Sequence, residues 1–226
     1  MIRSIFLYLD RTYLMQTPGV KNLWDTGLDL FREYIVEEPS IKKGVIQGIL
    51  LNVEKDRYVV FILQIDSVGR KGEQIPKTLI RSLIRMFQDL SIYFSVLESP
   101  LIKATSSFYS AYAKSFVDSF TSSMGGSHVS GYVMDTFTKL ESEGQRCDPL
   151  AGYLDISSRK RLVSVIDREM VEKHAGFLLD KGFKDLVNED RLDDLAKLYQ
   201  LLGRVSALDL IRKHFAEYIK VRPSTC

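Results

Sequence analysis

Leu23-Trp24-Asp25-Thr26-Gly27-Leu28-Asp29-Leu30-Phe31-Arg32 opens a segment in which Trp24, Leu28, Phe31 and Ile35 recur at steps of three and four residues. Asp25, Asp29, Arg32 and Glu33 fall mainly on the other side. With 3.6 residues per turn such positions share one face, so the spacing predicts an amphipathic helix. The same period extends outward. Phe6, Leu9 and Tyr13 form an inward stripe before it; Leu79, Leu83, Met86, Leu90 and Phe94 form one after it. Val163, Ile166, Met170 and Phe177 follow, then Leu195, Leu198, Leu202 and Val205. Each stripe needs a neighbour to cover it, which predicts an all-α chain of packed helices. Breaks are predicted at Thr17-Pro18-Gly19, Glu38-Pro39-Ser40, Ser99-Pro100, Gly125-Gly126-Ser127 and Asp148-Pro149, because Pro and Gly remove helical hydrogen bonds or favour turns. Ser40 and Asp155 stand where helix-starting caps are expected.

Composition agrees with a packed helical protein and excludes several function classes. The 226 residues carry 31 basic and 29 acidic side chains, a net charge of +2, so no global charge excess calls for nucleic acid or an anionic membrane. No run approaches the roughly 18 apolar residues of a membrane span, and the first residues lack the pattern of a secretory leader. Cys147 and Cys226 are far apart and give no disulfide framework, which fits a reducing compartment. Nucleus and cytoplasm are the expected locations.

Chemistry-bearing residues are sparse. His128, His174 and His214 have no metal-ligand spacing, and His174 reads as a packing residue. Cys147 has no histidine nearby in sequence to activate it. Gly125-Gly126 lacks the Lys-Ser/Thr of a phosphate loop. Glu37-Glu38 and Asp193-Asp194 are read as acidic residues favouring the positive end of a helix. Arg159-Lys160-Arg161 is the compact basic cluster, closely followed by Asp167 and Glu169, and reads as a solvated helix start. No catalytic residue, cofactor or metal is therefore assigned, and the chain is expected to be non-catalytic. Periodicity alone leaves open an unrelated helical-repeat adaptor, although no short repeat of tetratricopeptide or armadillo length is visible.

Two blocks near the start, Ile5-Phe6-Leu7-Tyr8-Leu9-Asp10-Arg11-Thr12-Tyr13 and the one from Leu23 to Arg32, resemble the cullins, most like the plant-type members of the fourth cullin class. The resemblance recurs in Ser106-Ser107-Phe108-Tyr109, in Glu143-Gly144-Gln145-Arg146-Cys147 and from Asp193 to Val205. It implies stacked five-helix bundles, the cullin repeats, forming an elongated, curved rod that is incomplete at both ends. On that reading residues 1–16 are the last helix of the first repeat, 18–146 the second repeat and 148–226 part of the third. The implied function is a scaffold, or a truncated form of one, in a cullin-RING ubiquitin ligase, spacing a substrate adaptor from the catalytic module.

The same resemblance implies a partner surface. In cullins two helices of the first repeat grip the substrate adaptor, for the fourth class a triple β-propeller protein, and Ile2–Gln16 resembles the second of the two, the other lying outside this sequence. With Phe6, Leu9 and Tyr13 turned inward, Tyr8, Arg11 and Thr12 are the expected adaptor contacts. The domain that recruits the RING subunit is not expected here, so neither that subunit nor a modified lysine is assigned. The initial Met matches an internal residue of related sequences, which reads as a fragment or an incomplete gene model. Two stretches depart from the family. Residues 58–69, with the strand-like core Tyr58-Val59-Val60-Phe61-Ile62-Leu63, read as an insertion, either translated non-coding sequence or a lineage-specific loop; an uninterrupted transcript through those codons would decide against the former. Residues 115–131, rich in Ser and Gly, read as a flexible loop. Val221–Cys226 also leaves the family pattern.

Overall fold

The computed structural model describes residues 2–17, 19–65, 75–120 and 127–221, and all regular elements among them are helical. The chain divides into two compact units, Met1–Leu97 and Glu98–Cys226. The division falls inside 18–146, the stretch expected to be a single repeat.

The first unit contains α1 (Ile2–Gln16), α2 (Leu23–Phe31), α3 (Pro39–Ile65) and α4 (Lys77–Asp89). Asn22 starts α2: its Oδ1 accepts from the Asp25 N–H at 2.7 Å and its Nδ2 donates to Asp25 Oδ2 at 2.8 Å. This reciprocal capping satisfies an otherwise orphaned backbone donor and places an acid in the first turn. After Phe31 the helix widens into a π-turn at Arg32–Val36, where the Arg32 guanidinium donates to the Leu90 carbonyl. Pro39 then opens α3. Ser40, expected as its cap, lies inside the helix and donates to Glu38 Oε1 at 3.1 Å instead. Proline at a first helical position loses no intrahelical bond, so the helix starts at Pro39 and its cap position falls at Glu38, ahead of Ser40.

Two further expectations are corrected in this unit. The strand-like run from Tyr58 to Leu63 is helical, because α3 continues to Ile65. Extending an existing helix costs far less than nucleating a new element, and the preceding Glu54-Lys55-Asp56-Arg57 turn is already helical. The remainder of 58–69, from residue 66 onward, lies outside the described residues. On α4 the buried positions are Ile80, Ile84 and Phe87, whereas Leu79 is 56% exposed. Of the expected stripe, Leu90 is fully buried and Leu83 and Met86 are half-buried, so the apolar face is wide and centred towards Ile80, Ile84 and Phe87. Phe94 cannot continue it, since Ser91 at φ 57° reverses the chain after α4; Phe94 is 60% exposed while its neighbour Tyr93 is buried.

The second unit contains α5 (Ser99–Phe120), α6 (Ser127–Arg146), α7 (Arg159–Ile166), α8 (Ala175–Asn188), α9 (Leu192–Arg204) and α10 (Leu208–Val221). Helix α6 is central: α7, α8 and α9 all pack on it, α5 lies on α7, and α10 covers α8 and α9. Its Val129, Tyr132 and Val133 join Leu178, Leu179 and Phe183 of α8 and Leu198, Leu201 and Leu202 of α9 in one core. Burying each of the larger side chains contributes about 1.5–3 kcal/mol, which the ordering of the chain largely offsets. The stripes Val163, Ile166, Met170 and Leu195, Leu198, Leu202, Val205 do face this core. Asp155 caps as expected, accepting from the Ser157 N–H at 2.6 Å. Asp193 and Asp194 occupy the first turn of α9.

The flexible loop expected over 115–131 is shorter than its composition suggests. Residues 115–120 end α5 and 127–131 begin α6; 121–126 lie outside the described residues. Ser115 and Ser119 return their hydroxyls to the carbonyls of Tyr112 (2.8 Å) and Phe116 (2.7 Å), so they sit within the helix rather than leaving it. Phe116 holds both ends together, its ring 4.3 Å from that of Tyr132.

Candidate partner-binding surface

Helix α1 is joined to the start of α2 by Asp10, whose Oδ1 accepts from the Leu23 N–H at 2.9 Å. Tyr8 is 71% exposed, Arg11 and Thr12 are exposed, and the Thr12 hydroxyl donates to the Tyr8 carbonyl at 2.8 Å. The three residues expected at a partner surface therefore share an accessible stretch of helix. The expected inward face does not exist as such. Phe6, Leu9 and Tyr13 are each more than half exposed, and Ile5, Leu7 and Met15 are exposed as well. The periodicity located a helix correctly but could not say what covers it; a helix apolar on several sides needs cover on several sides.

Trp24, placed by its spacing on the buried stripe of α2, is also 71% exposed, as is much of Tyr34 beyond it. Contiguous large apolar side chains of this kind mark interaction surfaces on soluble proteins. Tyr, Trp and Arg are the side chains that most often dominate interface energy, since they combine a large apolar area with a polar tip. Sequence reasoning missed Trp24 and Tyr34 as surface residues because an amphipathic period looks the same whether its stripe meets the core or a partner.

Elsewhere the chemistry-bearing residues are structural. Cys147 is fully buried, and burial, with the Glu143 charge second, pushes its thiol up to about 12, far from a nucleophilic thiolate. His174 immediately precedes α8 and is half-buried; burial and then the Lys173 charge hold its pKa below the usual value. His214 is partly buried against Phe183, with Nε2 3.5 Å from Asp180 Oδ1. Of the basic cluster, Arg161 pairs with the buried carboxylate of Glu98, which also accepts from Ser158 at 2.9 Å. Among the described residues no group of three or more His, Cys, Asp or Glu could hold a metal, and no helix is long and apolar enough to cross a membrane.

The motifs that carry the family resemblance pack against one another. Tyr109 donates to Glu143 Oε1 at 2.7 Å, and Arg146 Nη1 reaches the same oxygen at 3.1 Å, with all three side chains buried. Ser106 donates to Glu169 Oε1 at 2.9 Å. A family model described as the cullin alpha solenoid domain matches residues 1–225. The chain is 36% identical over 221 residues to Cullin-4 of Dictyostelium discoideum, covering 97% of this chain and 25% of that relative. It is 34% identical over 221 residues to Cullin-4A of Homo sapiens, covering 97% and 26%, and 30% identical over 227 residues to Cullin-3A of Arabidopsis thaliana, covering 96% and 28%. It thus spans about a quarter of the length of these relatives. Matches of this extent set aside an unrelated helical-repeat protein. Joined with a helical chain whose motif residues meet in its buried contacts, they show that the chain belongs to the cullin family.

Proposed function

We propose that this chain is a non-catalytic scaffold piece of a cullin-RING ubiquitin ligase, and that α1 docks a substrate adaptor of the propeller type. Tyr8, Arg11 and Thr12 form the centre of that contact. The observation that carries the reading is the exposed aromatic and apolar surface of α1, held to α2 by Asp10. A stack of helices suits such work because each packed element fixes the next, so distance between bound partners is set by the fold and not by a hinge. On this reading 1–16, 18–146 and 148–226 are successive pieces of the repeat series, and the chain acts in nucleus and cytoplasm.

The test is titration calorimetry of the full chain against a purified triple-propeller adaptor, with Tyr8→Ala and Arg11→Glu as variants. Saturable binding is expected, weakened about tenfold or more by each substitution. Absence of binding, or binding that neither variant changes, overturns the assignment of α1. A ubiquitin-transfer assay with the isolated chain should show no turnover.

A further inference from the structure

We propose that a groove between α6 and α7 binds a short acidic peptide segment anchored by a large apolar side chain. The groove, about 900 Å³, lies wholly within the second unit. Its floor is apolar, from Phe137 and Leu140 of α6 and Val163 of α7, and Gly144 leaves one end of it bare. A floor of this kind excludes a small inorganic ion as the main occupant and calls for a side chain the size of Leu or Phe.

Charge on the rim selects the partner. At one end Arg204 is fully engaged by Asp167, Nε to Oδ1 at 2.8 Å and Nη2 to Oδ2 at 2.9 Å, so that pair shapes the groove without adding net charge. At the other end Arg159 and Lys160 are exposed, and among the described residues neither has an ion-pair partner. The Arg159 guanidinium lies over Gly144, with Nη2 3.2 Å from where a Cβ there would stand. The carboxylate on this rim is Glu141, which accepts from Gln145 at 3.2 Å. Asp148 and Asp155 lie outside the groove lining; Asp148 accepts from the Leu150 and Ala151 amides and its charge also acts on Arg159, and Asp155 accepts from Ser157. Among the groove-lining residues an incoming acidic segment therefore meets Arg159 and Lys160 against the Glu141 carboxylate, directly beside an apolar floor. A nucleic acid would find too few cations and no use for that floor.

The sequence reading makes Arg159-Lys160-Arg161 a uniform solvated helix start. The structure divides it: Arg161 is committed to Glu98, whereas Arg159 and Lys160 face the groove.

The test is fluorescence anisotropy of the full chain with a fluorescein-labelled peptide in which a Leu-Phe pair is flanked by aspartates. Two control peptides replace the aspartates by lysines or the Leu-Phe pair by serines. Saturable binding of the first peptide is expected, weakening as salt rises, with both controls binding about tenfold or more weakly. Arg159→Glu combined with Lys160→Glu should cost about tenfold or more, and Lys160→Glu alone a smaller factor; both sites are exposed, and circular dichroism checks the fold. Tyr8→Ala should leave this binding unchanged, which separates the groove from adaptor docking on α1. The proposal is overturned by absence of binding, by equal binding of the lysine peptide, or by binding that the double substitution does not alter.

Discussion

Gly182 of α8 lies so close to Val129 of α6 that a Cβ on the glycine would stand 2.6 Å from Val129 Cγ1 and 2.7 Å from Cγ2. Val129 is fully buried and cannot swing aside. Gly182→Ala therefore forces α6 and α8 apart at the centre of the core, even though alanine favours the helix by about 1 kcal/mol. The expected net loss is about 1–3 kcal/mol, read as a lower denaturant midpoint. An unchanged midpoint would mean that the crossing yields without cost.

Among the described residues, three helices end on a residue held in the left-handed region without being glycine: Ser91, Asp190 and Ser206, at φ 57°, 56° and 57°. The closing bonds run from Ile92, Arg191 and Ala207 N–H groups to Phe87, Leu186 and Leu202 carbonyls, each at 2.9 Å. These positions favour glycine, which has no Cβ to crowd the turn. Asp190→Gly and Ser206→Gly, both exposed, should raise stability by about 0.5–1 kcal/mol each and should add in the double variant, since the two turns are closed by different residues. Thermal unfolding of the single and double variants checks both statements.

The buried set Tyr109, Glu143 and Arg146 is sensitive to partial removal. Glu143→Ala leaves the Arg146 guanidinium, with a side chain 4% exposed, without its carboxylate, at an expected cost of about 3–5 kcal/mol. Replacing both charges together, Glu143→Leu with Arg146→Met, should recover most of that loss. Chemical denaturation of the two variants compares them; equal destabilisation would count against the charge account.

Glu169 gives the stability a pH dependence with a defined sign. Burial raises its pKa, but hydrogen bonds from Lys173, Ser106 and Arg168 outweigh that and hold it below the ordinary glutamate value of 4.5. A depressed folded-state pKa means stability that is present above the unfolded value and lost as pH falls through the folded one. Unfolding midpoints should drop as pH is lowered from about 5 towards 3, and Glu169→Gln should lower the midpoint at neutral pH while flattening that slope. A slope unaltered in the variant would assign the acid sensitivity to other carboxylates.

What the sequence makes legible follows from what periodicity measures. Leu198 and Leu202 point to the core because α9 has a single narrow stripe and acids at its start. On α4 two adjacent rows, through Leu79 and through Ile80, fit one wide stripe, and the choice between them is made by packing that no local pattern contains. Tyr58 to Leu63 has the composition of a strand, yet the helix before it carries it along. Ser91, Asp190 and Ser206 are turn-compatible types that are equally common elsewhere, so without a Gly or Pro beside them these helix ends carry little local signal. Tyr8, Arg11 and Thr12 are exposed on α1, but so are Phe6, Leu9 and Tyr13, so periodicity does not single out one face there, whereas the closeness of Arg159 to Gly144 is a relation in space that no local pattern contains.

Gly144 sits inside a helix, where glycine is costly relative to alanine by roughly 1 kcal/mol, and it is also the bed on which the Arg159 guanidinium rests. A methyl group there would firm up α6 and nudge that cation out of its place. Robustness and recognition thus pull in opposite directions at one backbone position, so selection for a hardier protein and selection for a faithful binder would choose different residues there.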